Sequence, residues 1–368
     1  MMKKIIFATI FLIISILITC INYPYEFCTF GNISKVQNFI EAIEPHTWVK
    51  ENSQNNWKYY NGFMMYALKD TNRSLVEDFY EKNLNIDGTI NTKLNPYNKY
   101  QEGEVDSVLP ARKLLYLDKK PKYENAKRLV YNKLLKQEIL SNCGGNFRHK
   151  MNNKNWEEYP FALDGLYMAL PFLVEYKNFD VFNRMNWVSE NMKNEDGLYF
   201  HGTDINGKPN NVVWLRGVGW YAMAQVDILD FMPEGTKKEK MKSDLAAFFD
   251  SMIKKQNKYN GMWKNVLYPK TFICNKYETS GTLMMSYALI KAYKKGYVSD
   301  KKYEKAGLKA FNGTVKNKLH KELNDIYLSA HVSDKANYYC DCNKYVSNEA
   351  KGIAPLILVY NLLKSYKY

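Results

Sequence analysis

The chain has 368 residues, enough for a substantial buried core, and a formal charge of +14 at pH 7. Its six cysteines are too few for a disulfide scaffold, and they lack the paired Cys-x-x-Cys motifs of a zinc site. The positive charge would attract a polyanion, but the lysines are scattered instead of forming one block, and no nucleic-acid-binding motif is present. No nucleic-acid partner is therefore predicted, whereas an acidic substrate is compatible with the charge.

Residues 1–22 predict export. Lys3 and Lys4 precede an apolar run from 5 to 21, which has the charged start and hydrophobic centre of a secretory signal. The run is slightly short for a membrane span of about 20 apolar residues, so an N-terminal anchor is the alternative and no stable membrane partner is expected. Lipid anchoring at Cys20 is disfavoured by Thr19, where a small residue is usual. The protein is predicted to be secreted, or extracellular and anchored through this segment.

Residues 23–368 are predicted to form a single domain, because no Gly-, Ser- or Pro-rich linker divides them. In an exported chain, one or two disulfides are predicted among five cysteines, although the sequence does not pair them. These cysteines are Cys28, Cys143, Cys274, Cys340 and Cys342. The oligomeric state does not follow from the sequence.

Apolar residues recur at spacings of three and four through most of the chain, which predicts an all-α protein. The predicted helices are 34–47, 57–68, 73–84, 104–117, 122–139, 160–177, 179–193, 217–232, 237–256, 279–296, 300–317 and 350–366. Twelve helices make six antiparallel hairpins, which can close into an (α/α)6 barrel with an inner and an outer ring. The Lys-rich segments 122–139 and 237–256 are typical of outer helices. Segments rich in Trp, Tyr, Met and Gly are typical of inner ones, namely 57–68, 160–177, 217–232 and 279–296.

Two acidic residues stand near predicted helix starts. Asp106 begins an apolar helical run, and Asp164 follows Pro160 by four residues. An Asp at a helix N-terminus is favoured by the exposed amides, so capping is an alternative explanation for either residue. A cap would more naturally precede Pro160 than follow it, which makes Asp164 the stronger candidate for a catalytic acid.

Aromatic and basic residues surround another helix start. Trp214 and Trp220 flank Arg216 in a run that also contains two glycines, and His201 lies in the preceding loop. An Arg can grip a carboxylate with two parallel hydrogen bonds, and a Trp offers an apolar face to a sugar ring. A cation–π pair inside the core is the alternative. A further run at 277–282 opens another inner helix, where Ser and Thr are predicted to be caps or sugar contacts.

Five motifs occur in the order found in glycoside hydrolase family 105, the unsaturated rhamnogalacturonyl hydrolases. They lie at 105–110, 147–150, 163–173, 214–220 and 277–281, and the chain resembles the family from about residue 57 to 354. The resemblance implies an (α/α)6 barrel and a pectin-degrading enzyme. Its substrate would be an acidic oligosaccharide with a terminal 4,5-unsaturated uronic acid, as left by a polysaccharide lyase. It implies no metal and no organic cofactor.

By that resemblance, Asp164 protonates C4 of the double bond, water adds at C5, and the hemiketal opens to release the remaining sugar. Asp106 is the second catalytic residue. Lys150 or Arg216 would neutralise the uronate, and His201 would orient water or sugar. The residues that match the family's substrate pocket are His149, Lys150, His201, Trp214, Arg216 and Trp220.

As a general acid, Asp164 must carry a proton, although the pKa of an ordinary Asp is about 3.9. Burial or a nearby carboxylate would raise that pKa, and Asp106 is the candidate, so that the two acids would titrate as a pair. The sequence therefore predicts a raised pKa for Asp164.

Two positions depart from the family pattern, because Ala162 stands in place of a Trp and Val218 in place of an Asn. Extra residues around 152–156 bring in Trp156, which is predicted to refill the space at Ala162. The loss of an aromatic ring and an amide from the pocket region leaves the adjoining sugar of the substrate open.

Two other functions remain open. One is a secreted, non-catalytic carbohydrate-binding protein on the same barrel, although a binder would not need both Asp106 and Asp164. The other is an inverting glycosidase of another (α/α)6 family, whose two carboxylates would stand roughly 6.5–9.5 Å apart with water between them. The leading prediction is removal of an unsaturated uronic acid, most directly from a rhamnogalacturonan disaccharide, by hydration of the C4=C5 bond.

Overall fold

The computed structural model describes residues 24–42, 56–91, 103–151, 153–177, 180–270, 275–326, 331–339 and 345–367. Within these ranges the chain forms twelve α-helices, as predicted. They are α1 (Pro24–Ala42), α2 (Tyr59–Ala67), α3 (Arg73–Asn83), α4 (Leu109–Lys113), α5 (Pro121–Leu134), α6 (Leu163–Lys177), α7 (Phe182–Asn191), α8 (Leu215–Leu229), α9 (Thr236–Lys255), α10 (Thr279–Lys294), α11 (Lys301–Lys318) and α12 (Ala350–Ser365).

The even-numbered helices form a closed inner ring. Each of them packs against the next, from α2 through α4, α6, α8 and α10 to α12, and α12 packs back against α2. The odd-numbered helices lie outside, with α9 against α8, α11 against α10, and α1 against α11 and α12. This is the predicted (α/α)6 barrel, and every segment predicted to be inner or outer takes that position.

The burial of the helices explains why they sort into two rings. Every residue of α8 is buried, and so are the first fourteen residues of α10, so these helices have no polar face to turn to water. The outer helix α9 buries only six of its twenty residues, and its other side is rich in lysine. An amphipathic helix covers the core with one face, whereas a helix apolar all round must lie inside.

Most helix boundaries differ from the prediction by a few residues, and two helices differ further. The predicted helix 104–117 is a 3-10 turn at Val105–Ser107, the short α4, and a second 3-10 turn at Leu114–Tyr116. Pro110 explains the break, because it has no amide hydrogen to donate to the preceding turn. The predicted helix 34–47 corresponds to α1, which begins earlier, at Pro24. Residues 43–47 lie outside the described part of the chain.

Short strands tie the loops together in four antiparallel pairs. The pairs are β1 (Ile139–Leu140) with β2 (Asn146–Phe147), β3 (Phe161–Ala162) with β4 (Gly202–Thr203), β5 (Val213–Trp214) with β6 (Val266–Tyr268), and β7 (Asn324–Ile326) with β8 (Tyr345–Ser347). Strand β3 runs directly into α6, and β5 runs directly into α8. These two ladders therefore fix where two inner helices begin.

In the described part of the chain, Cys143 is buried and unpaired, with its Sγ 3.3 Å from Oγ1 of Thr203. Cys143 is therefore not one of the cysteines that form the predicted one or two disulfides. Cys28 lies in α1, whereas Cys20, Cys274, Cys340 and Cys342 and the predicted secretory segment 1–22 lie outside the described residues. Among the described helices, none has the length and apolar character that crossing a membrane requires.

Candidate active site

The six inner helices begin at one end of the barrel, because an antiparallel outer helix separates each from the next. The first residues of these helices are Tyr59, Leu109, Leu163, Leu215, Thr279 and Ala350. Helix N-termini expose unpaired amides and carry a partial positive charge, so this end of the barrel favours anions. We call it the mouth. The predicted acids and Arg216 lie at these helix starts, and the predicted histidines and Lys150 lie in the loops that precede them.

Asp164 lies in the first turn of α6 beside His201. Its Oδ2 is 2.9 Å from Nε2 of His201. The β3–β4 ladder sets this contact, because it pairs Ala162 with Gly202, and the amide of Leu163 donates to the carbonyl of His201 at 2.9 Å. The structure therefore brings together two site residues that are 37 positions apart in the sequence.

The pKa of Asp164 lies below its ordinary value. Burial acts to raise it, and the charge of Asp106 acts in the same direction. The hydrogen bond to His201 and the electrostatic attraction of His201 and His149 outweigh both effects. The predicted rise of the pKa is therefore wrong for the free protein, whose Asp164 is a carboxylate.

Asp106 is 8% exposed and paired with two basic residues. Its Oδ1 lies 3.2 Å from Nε2 of His149, and its Oδ2 lies 3.0 Å from Nζ of Lys150. Burial acts to raise the pKa of Asp106, but the charge of Lys150 and the electrostatic attraction and hydrogen bond of His149 hold it well below the ordinary value. Asp106 is consequently a permanent carboxylate, and Lys150 is bound to protein acids, since Glu104 also lies 3.5 Å from its ammonium.

Trp156 occupies the neighbourhood of Ala162, as predicted. The two residues share one buried cluster with Val332, and the indole of Trp156 stacks on the ring of His149 at 4.2 Å. The ring supplied by the extra residues thus supports the histidine that holds Asp106. The other departure from the family pattern, Val218, is buried in the main core.

Arg216 is 2% exposed and has few partners. Its guanidinium lies over the ring of Trp214 at 4.9 Å, and its Nε is 3.9 Å from Oε1 of Glu278, too far for a hydrogen bond. Nε and Nη2 are buried and donate to no hydrogen-bond partner within the described part of the chain. Trp214 is itself buried, and its Nε1 donates to Asn265 at 3.0 Å, so it supports Arg216 from below.

Trp220 lies one turn of α8 deeper than Arg216. It is 1% exposed, and its ring lies 5.1 Å from that of Tyr167 and 4.8 Å from that of Phe63. This is packing inside the barrel core. The structure therefore does not bring Trp220 together with the other predicted pocket residues.

Tyr59, which the sequence did not single out, lies among the charged residues of the mouth. Burial raises the pKa of its hydroxyl; the charges of Asp106 and Asp164 add to the rise, and that of Arg216 opposes it. All three charged groups are therefore close to the first residue of α2. A Tyr in a protein with 30 of them gives no signal at the level of sequence.

Two buried carboxylates share the start of α10. Glu278 accepts from the amides of Ser280 at 3.1 Å and Gly281 at 2.6 Å, and Asp325 accepts from those of Thr279 at 2.9 Å and Ser280 at 3.2 Å. Burial, and next the charge of Asp325, raise the pKa of Glu278 to about 7, against the opposing charge of Arg216. The acid of the run at 277–282, and not only its hydroxyls, is thus part of the site.

Almost the whole chain, residues 32–365, matches the model described as Glycosyl Hydrolase Family 88. The chain belongs to Glycosyl Hydrolase Family 88. The family makes the protein a glycoside hydrolase, and the mouth of its barrel is the candidate active site. Among the described residues of this family 88 protein, no group of three or more His, Cys, Asp and Glu side chains is arranged to hold a metal.

Solved structures share the fold. A glycoside hydrolase from family 105 of C. acetobutylicum ATCC 824 is 22% identical, with a TM-score of 0.76 over 90% of this chain and 99% of that one. An unsaturated glucuronyl hydrolase from Bacillus sp. GL1 is 11% identical, with a TM-score of 0.62 over 85% of this chain and 86% of that one. A 24.9 kDa protein in picA locus of Rhizobium radiobacter is 26% identical over 229 residues, 52% of this chain and 97% of that protein. The resemblance to family 105 is confirmed at the level of the fold.

Proposed function

We propose that the protein removes a terminal 4,5-unsaturated uronic acid from lyase-generated oligosaccharides by hydrating the C4=C5 double bond. Arg216 carries the proposal. Its Nε and Nη2 form one edge of the guanidinium, and such an edge binds both oxygens of a carboxylate through parallel hydrogen bonds. A buried cation with unused donors at the mouth supports a substrate with a carboxylate, and a uronic acid has one.

The proposed reaction requires Asp164 to gain a proton that the free protein does not hold. A bound substrate covers the site and brings its own negative charge, and both effects raise the pKa of Asp164. The proton then passes from Asp164 to C4, and positive charge develops at C5 and the ring oxygen. The carboxylate of Asp106, held by His149 and Lys150, stabilises that charge.

Water completes the reaction. Its oxygen bonds to C5 while one of its protons returns to Asp164, which gives a hemiketal at C5. The bond from C5 to the ring oxygen then breaks, and C1 becomes a hemiacetal that releases the remaining sugar. One water is consumed, and no redox step is needed.

The five motifs shared with family 105 support rhamnose as the adjoining sugar, and hence an unsaturated rhamnogalacturonan disaccharide as the substrate. Export of the enzyme, through the signal at residues 1–22, belongs to the same proposal, since lyase products of plant wall polymers arise outside the cell.

The proposal is tested with a panel of disaccharides, each offered with and without the C4=C5 bond. We expect loss of the double bond's ultraviolet absorbance and release of rhamnose from the unsaturated rhamnogalacturonan disaccharide, and no release from its saturated counterpart. Equal release from both would show an ordinary inverting glycosidase instead. Binding without any release would show a carbohydrate-binding protein.

A further inference from the structure

His201 is fully buried between an acid and a phenol. Its Nε2 lies 2.9 Å from Oδ2 of Asp164, and its Nδ1 lies 2.8 Å from Oη of Tyr339. The backbone fixes the residue, since its amide donates to Val212 at 2.7 Å and its carbonyl accepts from Leu163 at 2.9 Å. Each ring nitrogen has one partner, so the position of the ring proton decides whether Asp164 receives a hydrogen bond.

The surroundings of Tyr339 occupy the lone pairs of its oxygen. The amide of Ser333 donates to Oη at 2.9 Å, and Nδ2 of Asn210 lies 3.5 Å away. The orientation of the Asn210 amide is set by the backbone, because the amides of Gly202 and Val212 donate to its Oδ1. Two donors thus face an oxygen that has two lone pairs.

The hydroxyl of Tyr339 has two acceptors for its own proton. One is Nδ1 of His201 at 2.8 Å, and the other is the carbonyl of Ser333 at 3.3 Å. The contact to His201 is shorter, and the carbonyl of Ser333 already accepts from Asn210 at 2.5 Å. Burial raises the pKa of Tyr339 far above its ordinary value, so the hydroxyl keeps its proton.

We propose that Tyr339 is a positioning residue that holds His201 as the neutral tautomer protonated at Nε2, so that His201 donates a hydrogen bond to Asp164. A proton on Nδ1 would instead face an oxygen whose lone pairs are both in use. The catalytic consequence rests on the proposed function, but the tautomer is a property of the free protein.

The arrangement directs an incoming proton to Asp164. Protonation of His201 at Nδ1 requires the hydroxyl of Tyr339 to turn toward Ser333, whereas protonation of Asp164 disturbs none of the bonds of Tyr339. The proposed hydration needs the proton on Asp164, from which it passes to C4. Without the hydroxyl, His201 can become an imidazolium that pairs with the Asp164 carboxylate, and the acid loses its proton.

The tautomer is measured on full-length, substrate-free protein with nitrogen-15 in its histidine rings, through long-range proton–nitrogen spectra at about pH 6 to 8. A neutral ring has two well-separated nitrogen shifts, and an imidazolium has two similar ones. His201→Gln assigns the signal among the five histidines. We expect the Nε2-protonated pattern for His201 in the wild type and its loss in Tyr339→Phe. A wild-type His201 that is an imidazolium or carries its proton on Nδ1 overturns the proposal, as does an unchanged pattern in Tyr339→Phe.

The neighbouring tyrosine provides a matched control. The hydroxyl of Tyr338 lies 2.8 Å from Nδ1 of His331, so Tyr338→Phe removes the same kind of bond one residue away from Tyr339. We expect this variant to leave the His201 pattern unchanged. A change of the His201 pattern in Tyr338→Phe as large as in Tyr339→Phe would contradict the specific role of Tyr339.

Kinetics give a second readout. On an unsaturated uronide that the wild type hydrates, Tyr339→Phe should lower kcat about 10- to 100-fold and move the alkaline limb of the pH profile to lower pH, with little change in KM. Tyr338→Phe should alter neither. An unchanged kcat and profile in Tyr339→Phe contradicts the proposal. A wild type that hydrates no unsaturated uronide contradicts the proposed function instead, and the spectra still decide the tautomer.

Discussion

The buried guanidinium of Arg216 has two donor nitrogens without an acceptor among the described residues. The ring of Trp214 holds the guanidinium from one side, while the carboxylate of Glu278 stays 3.9 Å from Nε. A buried charged donor without an acceptor costs free energy, so an acceptor is expected in the working enzyme. A uronate fills that place in the proposed function.

Arg216→Lys tests this residue. A lysine keeps the charge but has no planar pair of donors, so we expect KM for the unsaturated substrate to rise roughly 10- to 100-fold with a smaller change in kcat. The matched control is Arg148→Lys, because Nε of Arg148 is already paired with the carboxylate of Glu138 at 2.6 Å. Initial rates at varied substrate concentration give both constants. An unchanged KM in Arg216→Lys would argue against carboxylate binding there.

Glu278 gives the site a pH dependence. Its pKa of about 7 means that it is neutral in mild acid and negative in mild base. Once charged, it attracts Arg216 and competes with the substrate carboxylate, so KM should rise as the pH passes through about 7. Glu278→Gln should remove that rise. The same KM profile in both proteins would show that another group is responsible.

The same pKa sets the sign of a stability change. Folding raises the pKa of Glu278 from 4.5 to about 7, so between these pH values the folded protein keeps a proton that the unfolded chain has released. The contribution to stability is complete below about pH 4.5 and is lost as the pH rises to about 7. The melting temperature of the wild type should therefore fall relative to that of Glu278→Gln as the pH rises through this range.

At the scale of elements, the packing at the start of α8 depends on Gly217, which has no side chain. A Cβ on Gly217 would lie 2.9 Å from Cδ2 of His201 and 3.5 Å from the ring of Trp214. The glycine therefore lets the His201 ring pack against the helix. It also shows a limit of sequence analysis, because nothing in the sequence of this motif indicates that one of its two glycines makes room for a histidine.

Gly217→Ala should separate activity from stability. The added methyl pushes His201 from Asp164, so we expect kcat to fall at least about tenfold, in the range of lost general acid–base help. Alanine also stabilises the helix by up to about 1 kcal/mol relative to glycine. This gain offsets the strain, so the melting temperature should change little. Gly31→Ala in α1 is the control, since an added Cβ there meets nothing within 4 Å. Equal activity of the two variants would show that the His201 ring tolerates the shift.

The helices themselves were predictable because their apolar spacing is a local property. The boundary at α4 was not, since the position of Pro110 in the first turn decides it through one missing amide hydrogen. Asp164 and Arg216 were found because each stands at the start of a helix with an unusual neighbourhood. Tyr339 was missed because its bond to His201 spans 138 residues and appears only when the loops fold over the mouth.

At the scale of the whole molecule, the two ends of the barrel have different tasks. A buried ion network lies toward the C-terminal ends of the inner helices, opposite the mouth. In it, Arg112 contacts Glu175 at 2.8 Å and Asp227 at 2.8 Å, and Lys291 contacts Asp227 at 2.7 Å. These four residues come from α4, α6, α8 and α10, so the network joins two-thirds of the inner ring.

Arg112→Leu should destabilise the protein without altering its chemistry. It leaves two buried carboxylates without this partner, which typically costs about 3–5 kcal/mol of unfolding free energy. Denaturant unfolding measures that loss, and kcat measured well below the new melting temperature should match the wild type. A fall in kcat at unchanged stability would show that the network affects the active site at the mouth instead of stabilising the ring of inner helices.

The central claim is hydration of a double bond with Asp164 as the acid, and it is tested most directly by the ultraviolet absorbance of an unsaturated rhamnogalacturonan disaccharide. The measurement compares the wild type with Asp164→Asn, which keeps the size of the side chain and removes the acid. We predict that the absorbance falls with the wild type and that the rate drops by about 10²- to 10⁴-fold in the variant. Equal rates in the two proteins would contradict the role of Asp164. A wild type that releases sugar while the absorbance stays constant would contradict hydration itself.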